Sequence, residues 1–266
     1  AKLQVIDKDG NVTLSSEIPA GKPAAEKSAE DGTGESQPLY MSLNHVMEYY
    51  IFAYYFQPAT EVRCTDIPYG EYYRTYGQLA LSMQKYNGAK KAYERAIAWN
   101  PVDLDAYLGL AEVYKYQNQR EKYLTVTKQA YRYCCTRATM ARYYRNMAFY
   151  YLSGYEPETA RACYQYSNVY YHTENADSEL KYISEAIQQE TPQTDIRAIQ
   201  KLFDEKQIEP GPDSQTIGIV YKVGEILLKD GDYKLAKDCY SIVYDITQDA
   251  SAEKLLNELE AAIAGN

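Results

Sequence analysis

The feature that most limits what this chain can fold into is a spacing of small and aromatic residues that returns at a fixed interval. In the stretch NGAKKAYERAIAWNP, residues 87 to 101, Ala89, Ala92, Tyr93, Ala96 and Ile97 fall at i, i+3, i+4, i+7 and i+8. That is one face of an amphipathic helix. Asn87-Gly88 is a turn signal before it. Asn100-Pro101 closes it, because the residue before a proline avoids the α region. Small residues on the inner face let a neighbouring helix come close. Counting back from Pro101 finds Tyr73, Gly77 and Ala80 on a preceding helix. The register recurs at Tyr107, Ala111, Tyr114 and Ala130, and at Tyr144, Ala148, Tyr151, Ala160, Tyr164 and Ser167. It returns once more at Val220, Gly224, Leu227, Tyr233, Ala236, Tyr240 and Val243. A period of about 34 residues is the mark of stacked helix pairs.

These units closely resemble the tetratricopeptide repeat, with Tyr123 and Cys135 standing where Ala and Pro are expected. DGDYKLA (residues 230–236) matches the motif's inter-helix turn. The resemblance implies an all-α fold: a right-handed α-solenoid of helix pairs with a C-terminal capping helix. Clear repeats cover about 70–172 and 217–248. Residues 174–206 read as two helices without the pattern, a degenerate unit or a hinge. SAEKLLNELEAAI (251–263) puts Leu255, Leu256, Leu259 and Ile263 on one face and reads as the cap such a stack needs. The repeat domain is taken as 39–266, helical throughout, with a first helix over roughly 42–57.

Ahead of it, LQVIDKDGNVTLSS alternates around Asp9-Gly10 and predicts a β-hairpin within residues 1–18. DKDGN looks like the start of a calcium loop. Val12 and Ile18 occupy the places that need Gly and Glu, so calcium is not expected. Residues 19–38, rich in Pro, Gly, Ala, Ser and Glu, read as a flexible linker or arm. Its acidic part, 24–36, is tethered close to the repeats and is a candidate internal ligand.

Charge is uneven. Residues 1–38 carry net −3, residues 39–171 net +4 and residues 172–266 net −10. A basic middle between acidic ends does not fit a nucleic-acid binder, but it fits an acidic partner. The 31 tyrosines, against 4 Phe and 1 Trp, suit half-buried helix packing and interfaces. The five cysteines show no framework spacing and read as free buried thiols of a reducing compartment. No signal peptide is visible. The expected location is cytoplasmic, or extracytoplasmic if a leader or anchor was removed before Ala1. The apolar run VMEYYIFAYYF is too short to span a bilayer.

No nucleotide-binding glycine loop and no nucleophile elbow occurs, and His45 and His172 stand in no metal-ligand spacing. No enzyme activity, cofactor or metal is expected. What the resemblance implies instead is binding in a concave groove lined by the first helix of each pair. The groove positions give Arg74, Gln78, Leu81 and Ser82; then Asp105, Leu108, Gly109, Glu112, Lys115 and Tyr116; then Arg142, Arg145, Asn146 and Phe149. Arg74, Arg142 and Arg145 are expected to form a basic patch over an apolar floor of Leu108, Tyr116 and Phe149, suited to carboxylates. Some tetratricopeptide proteins clamp a C-terminal carboxylate with an Asn where this chain has Gly109, which departs from that pattern. The function expected is a protein-interaction scaffold that takes a peptide or protein segment. Two alternatives stay open: self-association through the Tyr-rich surface, with a homo-oligomer as the product, and a regulatory domain of a longer chain.

Overall fold

The computed structural model describes the backbone of residues 2–6 and 12–17 and all of residues 38–263, the last helix running to Ala264. The turn at Asp9-Gly10, the calcium-like run 7–11 and the linker up to residue 37, with its candidate internal ligand, lie outside the described residues. Strands β1 (Lys2–Ile6) and β2 (Val12–Glu17) pair antiparallel, with an irregularity between Val5 and Ile6.

Residues 39–64 hold the expected first helix, shorter than 42–57, and add a small sheet that the sequence did not predict. A short strand β3 (Leu39–Met41) pairs in parallel with β4 (Val62–Cys64), and helix α1 (Val46–Phe56) lies between them. The helix starts late because residues 42 and 44 are tied elsewhere. Ser42 Oγ accepts from the Gly70 amide at 3.0 Å. The Asn44 amide and side chain both donate to the Glu48 carboxylate. Glu48, the one charge in the apolar run, is buried and also accepts from Asn100 at 2.6 Å. It clips α1 to the first repeat and is satisfied there, as a buried carboxylate must be.

The repeat pairs follow: α2 (Tyr69–Ser82) with α3 (Tyr86–Trp99), α4 (Leu104–Tyr116) with α5 (Arg120–Tyr131), and α6 (Arg137–Ser153) with α7 (Pro157–Tyr170). Each second helix packs on the next first helix. The small residues work as the spacing predicts. A Cβ at Gly77 would stand 3.0 Å from the Tyr93 ring, so the glycine lets that ring lie between the two helices. Gly224 and Tyr240 repeat the arrangement at the same 3.0 Å. The turn between the helices of a pair uses one left-handed residue: Gln84, Asn118, Tyr155 and Gly231. Only the fourth unit has the glycine that this conformation favours.

Beyond α7, helices α8 (Glu174–Ile187) and α9 (Ile196–Lys206) both pack on α7, extending the stack. The fourth pair, α10 (Ser214–Lys229) with α11 (Tyr233–Thr247), turns back. α10 packs on α1, and α12 (Ala250–Ala264) packs on α11. Tyr55 Oη donates to Asp213 at 2.9 Å, and Thr216 donates to the Arg132 carbonyl at 2.7 Å. Ile51 and Phe52 of α1 join the core of the first repeats, while Val46, Met47 and Tyr50 pack on the α10–α11 core.

The segment 206–213 that makes this return runs over tyrosines of α6 and α7. Tyr144 donates to the Glu209 carbonyl at 2.8 Å, and Tyr166 donates to the Pro210 carbonyl. A part of the tyrosine excess is explained here. The rings fill the core while the hydroxyls satisfy carbonyls of a strap that lacks secondary structure. All five cysteines are free; Cys134, Cys163 and Cys239 are buried, and Cys64, against expectation, is exposed.

Candidate peptide-binding groove

The first helices α2, α4 and α6 line one face of the stack, and between them lies a cavity of about 540 Å³. That is within the range of about 300–1,000 Å³ typical of ligand pockets. Gln78, Leu81 and Ser82 come from α2; Asp105, Gly109, Glu112 and Tyr116 come from α4; Arg142 comes from α6. Tyr86 and Tyr93 reach in from α3, and Gln84 from the turn.

Of the sequence-predicted residues, the cavity gathers Gln78, Leu81, Ser82, Asp105, Gly109, Glu112, Tyr116 and Arg142. Others lie on the adjoining α6 side. Lys115 Nζ stands 4.3 Å from the centroid of the Phe149 ring, which meets Tyr123 edge-on. Arg145 Nη1 and Asn146 Nδ2 are buried with no hydrogen-bond partner among the described residues. Burial, then the neighbouring charge of Arg142, lowers the pKa of Arg145.

Two expectations need correction. Leu108 does not floor the groove: it is 2% exposed and belongs to the core of the first repeats. Arg74 is not free for a ligand. Its Nη1 lies 3.0 and 3.2 Å from the two oxygens of Asp103, and 3.6 Å from Asp105. Asp103 is buried and is the N-cap of α4, accepting from the Ala106 amide, so Arg74 neutralises a structural carboxylate. The cavity wall therefore carries two carboxylates, Asp105 and Glu112, and one guanidinium, Arg142. It is bipolar rather than basic.

The residue that sequence reasoning missed is Tyr93. It is 2% exposed, and it lines the cavity with its hydroxyl beside Gly109. Burial raises its pKa, with Arg142, Glu112, Arg74 and Asp105 as the charges around it. The signal was present as glycine on two successive first helices, at 77 and 109. A Cβ on Gly109 would overlap the Tyr93 ring. That is also why the clamp asparagine is absent at this place: the aromatic ring occupies its space.

Away from the groove, His172 lies 2.8 Å from Asp177 at the start of α8, and His45 precedes α1. No helix among the described residues is long and apolar enough to cross a membrane.

Fold and groove together define a helical-repeat protein built of tetratricopeptide-type pairs, on the register of its small and aromatic residues and their packing. No family model matches the chain, and no curated protein matches it. Among solved structures it is similar to a chain of the APC/C hetero-tetramer Cut9–Hcn1, with 13% identity and a TM-score of 0.41. That match covers 73% of this chain and 36% of the other, so this chain spans about a third of that one. It is similar to the TPR2AB domain of yeast Sti1, solved as a pHSP90 complex: 12% identity, TM-score 0.41, 73% of this chain and 70% of that one. It is similar also to YrrB, described as a TPR protein with an unusual peptide-binding site: 14% identity, TM-score 0.37, 80% of this chain and 97% of that one.

Proposed function

We propose that this chain is a non-catalytic scaffold that binds a protein segment laid across α2, α4 and α6. The observation that carries the reading is the open cavity with Glu112 and Arg142 on its walls. Both are half-buried, and neither has an ion-pair partner among the described residues. Partly desolvated charges without partners are costly, and a ligand with complementary groups removes that cost. An extended backbone offers both kinds of group: carbonyls for Arg142 and amides for Glu112. The α6 side, where Arg142 lines the cavity, suits the acidic part of such a segment. The test is panning of a random displayed peptide library against the full chain and against Arg142→Glu. Binders lost on charge reversal, with helicity unchanged, support the groove. Binders indifferent to it overturn the reading.

One observation favours self-association as a second reading. In the later units the outer side of the first helix is buried against the preceding pair, as with Leu110, Val113 and Met147. In the first unit Tyr76 and Leu79, the equivalents of Leu110 and Val113, have no preceding pair and are exposed, Leu79 by 58%, and Met83 extends the exposed stripe by one turn. A second copy meeting this stripe about a two-fold axis would bury it on both sides. Mass that rises with concentration in the wild type and not in Leu79→Glu supports this reading; a monomer at all concentrations removes it.

A further inference from the structure

We infer that the α2–α4 end of the cavity receives a cationic side chain, lysine or arginine, from the bound segment. This rests on the groove reading and departs from the expectation of a purely acidic ligand.

The fold has a recurrent device in which a tyrosine ring, a cation and a carboxylate meet. Arg120 lies 3.8 Å over Tyr150 and 3.0 Å from Glu121. Arg132 lies 4.6 Å over Tyr55, whose hydroxyl donates to Asp213. Lys206 lies 6.0 Å over Tyr151 and pairs with Glu156. The cavity holds the same parts without the cation. Tyr86 and Tyr116 stack at 5.6 Å with an interplanar angle of 16°, and Tyr116 is 60% exposed. Glu112 stands one helical turn before Tyr116 on α4 and lines the same space, and no cation of the described residues lies over either ring.

The independent observation is Tyr93. This side chain is 2% exposed, and its hydroxyl lies beside Gly109 and opens to the cavity among the charged walls. An ammonium or guanidinium is a donor without acceptor capacity. It would satisfy the Glu112 carboxylate, donate to the Tyr93 oxygen and lie against the rings, where a cation is held by the quadrupole. Arg142, on the α6 side, sets the direction. It repels a cation, so the basic residue sits toward Tyr116 and any acidic residue toward α6.

The test uses two defined probes on the full chain, followed by amide NMR: N-acetyl-lysine methylamide and N-acetyl-glutamate methylamide. The lysine probe is expected to shift the Gln78, Gly109 and Tyr116 resonances saturably, and the glutamate probe is not. Glu112→Gln should weaken the lysine probe at least fivefold. Tyr116→Ala is the second variant, should Glu112→Gln disturb the fold. No shift with the lysine probe, equal shifts with both probes, or a lysine response unchanged in both variants overturns the inference. Recovery of peptides sensitive to Arg142→Glu alongside a silent lysine probe would leave the groove standing and remove the cation site alone.

Discussion

At the scale of single residues, glycine and tyrosine explain each other. Gly109 is where it is because Tyr93 fills the volume a side chain would take. Gly109→Ala is expected to lower stability by about 1–3 kcal/mol, the usual cost of overpacking, read as a reduced urea midpoint. Combining it with Tyr93→Leu should recover part of that loss, since the two residues touch. Tyr155 presents the opposite case. It is 94% exposed and holds a left-handed backbone with φ 61°. Tyr155→Gly is expected to raise stability by about 1 kcal/mol, measured by the same titration. Burial also raises many tyrosine pKa values above the ordinary 10.0; Tyr55, Tyr151, Tyr170 and Tyr240 reach about 12. Above pH 10 the unfolded chain releases these protons while the folded chain keeps them, so the unfolded state binds fewer. Stability contributed by the neutral hydroxyls is full below pH 10 and falls as pH rises toward 12, by about 1.4 kcal/mol per pH unit per tyrosine. The tyrosinate absorbance of the buried tyrosines, read as the difference from a variant in which Tyr55, Tyr151, Tyr170 and Tyr240 are Phe, should therefore rise together with the loss of helical circular dichroism between pH 10 and 12. That difference absorbance appearing well before helicity is lost would contradict it.

At the scale of elements, the helix pairs were legible because the repeat packs by fixed position. Gly77 with Tyr93 and Gly224 with Tyr240 are one contact written twice, and sequence carries such a contact without knowledge of the rest of the chain. The parts that were not legible depend on partners far away in sequence. β3 and β4 are three residues each, below what alternation can reveal. Leu108 and Gly109 are adjacent groove positions by count, yet Leu108 turns inward because the core of the first repeats closes over it. Arg74 reads as a free cation in the sequence because the burial of Asp103 cannot be seen from its neighbours. The strap 206–213 was invisible for a similar reason, since its acceptors are backbone carbonyls. Tyr144→Phe with Tyr166→Phe should cost about 1–3 kcal/mol for two hydrogen bonds. Hydrogen exchange should show faster opening at Ile208, with protection inside α6 little changed.

At the scale of the whole molecule, α1 has two faces in use. It packs on the first repeats through Ile51 and Phe52 and on α10–α11 through Val46, Met47 and Tyr50. A linear stack loses stability locally, because each repeat depends only on its neighbours. Here the first helix after β3 depends on the fourth pair. Tyr55→Phe with Thr216→Ala, which removes the hydroxyls joining α1, Asp213 and the α5–α6 turn, should lower the protection of α1 and α10 together. Protection lost in α10 alone would separate the two. The same closure has a mechanical consequence. Pulled from its ends, an open stack of repeats peels one unit at a time, in a sawtooth of small equal forces. In this chain α1 and α12 both attach to the α10–α11 block, and β3 ahead of α1 is paired with β4. The load passes through the short β3–β4 pair to the α1–α10 seam, whose rupture should be the dominant early event, after which the remaining helices pay out in steps.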